Sequence, residues 1–168
     1  MKSDKKLRQL TLTGILAALI TLFTAYIVHI PVGATGGYVH LGDSIIYLSA
    51  VRLPWPYAMA AGAIGGGLAD LLTAPMWAPA TIIIKSLIVI PFTSKGSGIL
   101  NKRNLIAPLI AMVITIAGYY AAEVILYGKE AAFLISVTSN AIQGIGSAAV
   151  FYIFGAALEK AGIKRLCK

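Results

Sequence analysis

The chain has 168 residues, of which 58% are hydrophobic and only 12% are charged, and its mean hydropathy is +0.84. This composition excludes a soluble globular domain. The apolar runs are continuous and lack the two-residue alternation of barrel strands, so helices must satisfy the backbone in lipid. We therefore expect an all-α membrane protein, with residues 1–168 forming a single transmembrane domain.

Apolar runs separated by Pro, Gly and polar residues predict six transmembrane helices. The second and fourth runs are short for a hydrocarbon core about 30 Å thick at about 1.5 Å per residue. One end of each should therefore stop inside the membrane, where short helices tend to line a cavity. The predicted helices span residues 10–28, 41–53, 56–73, 78–93, 105–127 and 132–158.

The basic residues predict the orientation. If the N-terminus is cytoplasmic, 12 of the 14 Lys and Arg residues fall on the cytoplasmic side, leaving Lys129 outside and Lys85 within a helix. We therefore expect both termini in the cytoplasm. The net charge of +8 then reflects topology and contact with anionic lipid headgroups rather than nucleic-acid binding.

The segment 33–43, between the first two predicted helices, is a candidate ligand-binding loop. Its glycines permit tight turns, Tyr38 offers a flat aromatic face, and His40 offers a hydrogen-bonding edge. His40 has no second ligand at metal-binding spacing, so we expect no metal. Asp43 is either a ligand contact or the N-cap of the second helix.

The third helix carries small residues every fourth position, at Ala58, Gly62 and Gly66, and Asp70 continues this stripe. A second helix can approach such a stripe closely, so Asp70 should point into the bundle. Trp77, in the joint that follows, is either a wall of the ligand pocket or part of the interfacial aromatic belt.

Further polar residues lie at similar depth in the last three helices. An ionisable group in hydrocarbon costs about 2.5–3.5 kcal/mol, so such groups normally face the bundle interior or water. We predict one ligand pocket in the extracellular half. Each group also has a structural alternative. Lys85 is then a structural partner of Asp70 or Glu123 without a ligand, or these two acids are solvated helix ends. The two amides would only hold helices together. The residues concerned are Thr81, Lys85, Glu123, Asn140 and Gln143.

No phosphate loop, histidine pair or other catalytic motif occurs, so we expect neither an enzyme nor a cofactor. The pocket favours a small, polar, partly aromatic ligand. One hypothesis is a ligand-binding subunit that works only with partner proteins. The alternative is a stand-alone, proton-coupled secondary transporter that relays protons through Asp70, Glu123 and Lys85.

Three motifs in series resemble those of the substrate-binding S components of energy-coupling factor (ECF) vitamin transporters, in the riboflavin/hydroxymethylpyrimidine-type branch. They are GYVHLGD at 37–43, GGGLADLL at 65–72 and WAPATIIIK at 77–85, preceded by GILAA at 14–18. The resemblance covers nearly the whole chain. It implies a high-affinity vitamin binder in a prokaryotic plasma membrane, which docks onto a membrane scaffold subunit driven by two cytoplasmic ATPases.

The resemblance also implies a docking face of small residues on the first helix, here Gly14 and Ala18 with Ala17 and Thr21 beside them. Small side chains allow close packing between helices in lipid. Acidic residues outnumber basic ones among the predicted pocket residues, so we expect a ligand with amine or ring-nitrogen donors. Hydroxymethylpyrimidine is the first expectation, and riboflavin or pyridoxine the next.

Overall fold

The computed structural model describes residues 2–32, 37–96 and 98–163. Six α-helices run through these residues. They are α1 (Lys2–Leu22), α2 (Gly42–Arg52), α3 (Trp55–Thr73), α4 (Ala78–Leu87), α5 (Lys102–Tyr127) and α6 (Lys129–Lys160). A π-helical turn, Phe23–Ile27, extends α1, and a 3-10 turn, Pro75–Trp77, leads into α4.

Three segments of the described chain are long and apolar enough to cross a membrane: Ser3–Ile27, Lys102–Tyr127 and Val137–Lys160. The second and fourth helices are short, as expected, with 11 and 10 residues. The fourth helix ends at Leu87, whereas the sequence predicted it to continue to residue 93; turns occupy residues 88–91.

A two-stranded antiparallel hairpin interrupts the helical architecture and corrects the expectation of an all-α chain. Strand β1 (His29–Val32) pairs with β2 (Gly37–His40), and His29 lies opposite His40. The expected loop glycines at 33–36 lie outside the described residues. Backbone outside the helices must be satisfied by other groups, and cross-strand pairing does this for β1 and β2.

Helices α2 to α6 pack in a closed ring, since each contacts the next and α6 returns to α2. Helix α1 lies against α2 and α3. The ring core contains the stacked rings of Tyr47 and Phe92, 4.9 Å apart, with Phe151 packed edge-on against both. This arrangement encloses the polar faces of five helices.

Side-chain bonds to backbone tie several elements together at the end of the ring away from the hairpin, here called the basic end. Trp55 Nε1 donates to Phe92 O at 3.1 Å, and Arg103 Nε donates to Pro91 O at 2.7 Å. Glu159 Oε1 accepts from the amide of Leu100 at 2.9 Å. The first two bonds satisfy carbonyl groups left open where α4 ends early.

Candidate functional site

A buried ion pair lies near the hairpin end of the ring. Lys85 Nζ on α4 is 2.7 Å from Asp43 Oδ1 on α2, and both side chains are 1% exposed. Asp43 lies in the first turn of α2 and makes no capping bond, because the N-cap is Leu41. The N-cap interpretation of Asp43 is therefore wrong, and so is the pairing of Lys85 with Asp70 or Glu123 as its ion-pair partner.

Gln143 connects this ion pair to α6 and to the hairpin. Its Nε2 donates to Asp43 Oδ2 at 3.0 Å, and its Oε1 accepts from the backbone amide of His40 at 3.3 Å. Gln143 thus does more than join helices, because it binds the charged centre and holds the end of β2 over it.

His40 is buried and neutral in this arrangement. Its Nδ1 accepts a hydrogen bond from the amide of Gly42 at 3.0 Å, which requires an unprotonated ring nitrogen. Burial, together with the positive charge of Lys85, lowers the pKa of His40 to about 3. The imidazole therefore brings no positive charge to the site near neutral pH.

Tyr38 and Asp70 form a second link between the hairpin and the ring. The Tyr38 hydroxyl donates to Asp70 Oδ1 on α3, and the Tyr38 ring stacks on His29 with a centroid distance of 3.9 Å. Asp70 is buried, so it is not a solvated helix end. Its Oδ2 has no hydrogen-bond partner in the described part of the chain, which leaves one acceptor open.

Aromatic side chains border the charged residues on the α4–α5 side. Tyr119 on α5 packs edge-on against Trp77 at 6.1 Å, and its hydroxyl bonds Thr81 Oγ1 at 2.7 Å. Lys85 Nζ lies 5.3 Å from the centre of the Tyr119 ring. Trp77 is buried rather than interfacial, and among the described residues its Nε1 has no partner.

The small-residue stripe on α3 explains how Lys85 reaches this position. A Cβ added at Gly62 would lie 2.7 Å from the carbonyl oxygen of Lys85, and one added at Gly66 would lie 2.9 Å from Lys85 Cγ. Only glycine allows α4 to approach α3 this closely. The predicted close helix approach on this stripe is the contact of α3 with α4.

The two remaining predicted pocket residues, Glu123 on α5 and Asn140 on α6, are both buried. Glu123 is therefore not a solvated helix end. Asn140 lies almost one turn before Gln143 on the same helix. The structure thus places polar residues of the hairpin and of five helices in the interior near the hairpin end.

Sequence reasoning missed Tyr119 and His29. Tyr119 stands four residues before Glu123 on α5, so helical spacing places both on one face and could have identified it. His29 precedes the predicted loop at 33–43. The hairpin instead brings it opposite His40, and no helical or loop pattern indicated that pairing.

The four predicted docking residues of α1 divide between two faces. Gly14 and Ala18 are exposed, and a Cβ added at Gly14 would have no neighbour within 4 Å. Ala17 is buried, and the Thr21 hydroxyl donates to Gly65 O on α3 at 3.0 Å. Ala17 and Thr21 therefore pack α1 onto α3, whereas Gly14 and Ala18 remain exposed.

Residues 4–160 match the sequence model of a family described as the S component of the ECF-type riboflavin transporter. The chain belongs to this family. An uncharacterized protein in gap 3'region from Pyrococcus woesei is 32% identical over 111 residues, which cover 65% of this chain and 74% of that protein.

Membership makes the chain a transport protein, not an enzyme, and a multi-pass protein of the cell membrane. It is an S component of an ECF-type vitamin transporter, so a vitamin-like ligand and the ECF module are its partners. The buried polar residues described above then need a role within that activity.

Proposed function

We propose that this S component binds a small heteroaromatic vitamin or vitamin precursor among the buried polar residues near the hairpin. The observation that carries the proposal is the convergence of Asp43, Lys85 and Gln143 from three helices, with Tyr38 and Asp70 closing the hairpin side. Ionisable groups at membrane depth are costly and usually serve a ligand or ion.

The chemistry of the site favours a nitrogen-containing ring. Lys85 and Asp43 offset each other's charge, and the buried carboxyl group of Asp70 forms no ion pair among the described residues. Asp70 Oδ2 can accept from a ring N–H or amino group, and the Trp77 indole N–H can donate to a ring nitrogen or carbonyl. Hydroxymethylpyrimidine presents both functions; riboflavin, which names the family, and pyridoxine are the next candidates.

The same site is expected in the extracellular half of the membrane, with all six helices crossing and both termini cytoplasmic. The basic end of the ring carries Arg103 and Lys102 at the start of α5, Arg52 at the end of α2 and Lys160 at the end of α6. Positive charge is retained on the cytoplasmic side, which supports placing the hairpin end outside.

Transport would require a membrane scaffold subunit and two cytoplasmic ATPases. The exposed pair Gly14 and Ala18 supports a docking face on α1, because two small residues four apart allow a second helix to approach closely. The partner subunits would then supply the energy for transport by hydrolysing ATP.

The binding proposal is tested with the purified chain alone, in detergent, by isothermal titration with hydroxymethylpyrimidine, riboflavin and pyridoxine. One of them should bind in the absence of ATP, and Asp70→Asn should weaken that binding at least tenfold because the acceptor loses its charge. Asp4→Asn, at an exposed position of α1, is the matched control. Equal affinities for the two variants would contradict the assignment of Asp70.

The docking proposal is tested by ATP-driven uptake in vesicles that contain the ECF module. Ala18→Trp should abolish uptake and preserve ligand binding, whereas Val113→Trp, at an exposed position of α5, should preserve both. Equal uptake by the two variants would contradict docking at Ala18. Uptake by the chain alone under a proton gradient would instead support the secondary-transporter alternative.

A further inference from the structure

Two buried hydroxyls lie between the site and the basic end of the ring. Thr115 on α5 and Ser147 on α6 are at most 1% exposed, and neither hydroxyl oxygen has a hydrogen-bond partner among the described residues. Thr115 stands one turn before Tyr119, and Ser147 one turn after Gln143. Helix α5 runs toward the hairpin end and α6 runs away from it, so both hydroxyls lie one turn deeper than those site residues.

These hydroxyls differ from others in the same bundle. In an apolar helix, Ser and Thr commonly donate to the carbonyl four residues back. Thr13, Thr73 and Ser86 do this, with oxygen–oxygen distances of 2.8 Å each. Thr115 and Ser147 make no such bond, so their hydroxyls are left for a partner outside their own helix.

A third buried hydroxyl adds to this pattern. Tyr47 stands one turn after Asp43 on α2, its side chain is fully buried, and its oxygen has no hydrogen-bond partner among the described residues. Burying a hydroxyl without a hydrogen bond is energetically unfavourable. Each of these three residues stands one turn below a residue of the site, and a hydrogen-bonding group of the ligand can supply the partners that their hydroxyls lack.

We infer that Thr115, Ser147 and Tyr47 form a hydroxyl layer that binds the hydroxyl-bearing substituent of the substrate. The inference rests on the proposed function, because the ring of the substrate would occupy the level of Asp70, Trp77 and Gln143. A hydroxyl both donates and accepts, so a substituent with one or more OH groups can pair with side chains of the same type. The layer thereby selects the substituent rather than the ring.

The experiment compares ligands that differ only in that substituent. Riboflavin is paired with lumiflavin, in which a methyl group replaces the hydroxyl-bearing chain, and hydroxymethylpyrimidine is paired with the analogue in which methyl replaces hydroxymethyl. Dissociation constants are measured by titration calorimetry on the purified full chain. The hydroxyl-bearing member of the pair whose ring is bound should bind more tightly.

Thr115→Val and Ser147→Ala should each weaken binding of the hydroxyl-bearing ligand about three- to tenfold and leave the methyl ligand unchanged. Thr13→Val, which removes a hydroxyl already bonded to its own helix, is the matched control and should change neither affinity.

Two results would overturn the inference alone. The first is an equal loss of affinity for both members of a ligand pair, which would indicate a structural role of the hydroxyls. The second is unchanged affinity in both variants, which would indicate that these hydroxyls bond only to water. Failure of the folded wild-type chain to bind any of the four ligands or pyridoxine would overturn the proposed function as well.

Discussion

Removal of Lys85 should destabilise the protein strongly, because it leaves Asp43 buried without its counter-charge. At 2.7 Å the pair interacts with about 6 kcal/mol at an effective dielectric constant of about 20. Desolvation offsets much of this gain, and breaking a buried pair from one side costs about 3–5 kcal/mol. Lys85→Met should therefore lower the melting temperature by roughly 6–20 °C for a chain of this size.

The assay is thermal unfolding of purified variants in detergent, followed by tryptophan fluorescence. Lys95→Met, which removes an exposed lysine near the basic end, is the matched control and should melt within a few degrees of wild type. When Asp43→Asn is combined with Lys85→Met, no charge is left unpaired and the introduced amide can still accept from Gln143. The double variant should therefore be more stable than the sum of the single losses predicts.

Two results would refute this reasoning. If Lys85→Met melted at the same temperature as Lys95→Met, the ion pair would contribute nothing to stability. If the losses of the two single variants simply added in the double variant, Lys85 and Asp43 would not be energetically coupled.

Three further predictions concern glycine, tyrosine and histidine positions. Gly62→Ala should cost about 1–3 kcal/mol of stability by displacing α4, whereas Gly14→Ala should not; equal melting curves would contradict the close approach. Tyr38→Phe should weaken ligand binding in titrations because it removes the hydroxyl that donates to Asp70; unchanged affinity would count against that link. Because the pKa of His40 is lowered to about 3, the unfolded chain takes up a proton below about pH 6.5 that the folded chain does not. Stability should thus be lost as pH falls from about 6.5 toward 3, and His40→Asn should melt with less pH dependence between about pH 7.5 and 5.

The helical part of the fold could be predicted from the sequence because apolar runs and breakers are local features. The same holds for the α3 stripe, since a four-residue spacing places Gly62, Gly66 and Asp70 on one face whatever packs against it. The burial of the polar candidate residues could be predicted for a related reason. Polar groups inside apolar runs are conspicuous, and their cost in lipid makes burial in the bundle the expected outcome.

The pairings within the site could not be predicted, because they depend on which helices become neighbours. Asp43 precedes an apolar run, so its local sequence predicts an N-cap. In the structure, α4 instead brings Lys85 Nζ to 2.7 Å from Asp43 Oδ1. The hairpin was missed because strand pairing across residues 33–36 is a non-local property. Tyr119 was missed because tyrosines are common at membrane interfaces, so its position alone did not distinguish it.

We expect this S component to bind its substrate on its own, within the polar interior near the hairpin. The most direct measurement is mass spectrometry of the small molecule released when the purified, washed chain is denatured, with Gln143→Leu prepared in parallel. The wild-type chain should release a heteroaromatic vitamin or precursor in near-stoichiometric amount, and Gln143→Leu should release far less. Equal release from both preparations, or a wild-type chain that carries no such molecule and binds none when it is added, would contradict the claim.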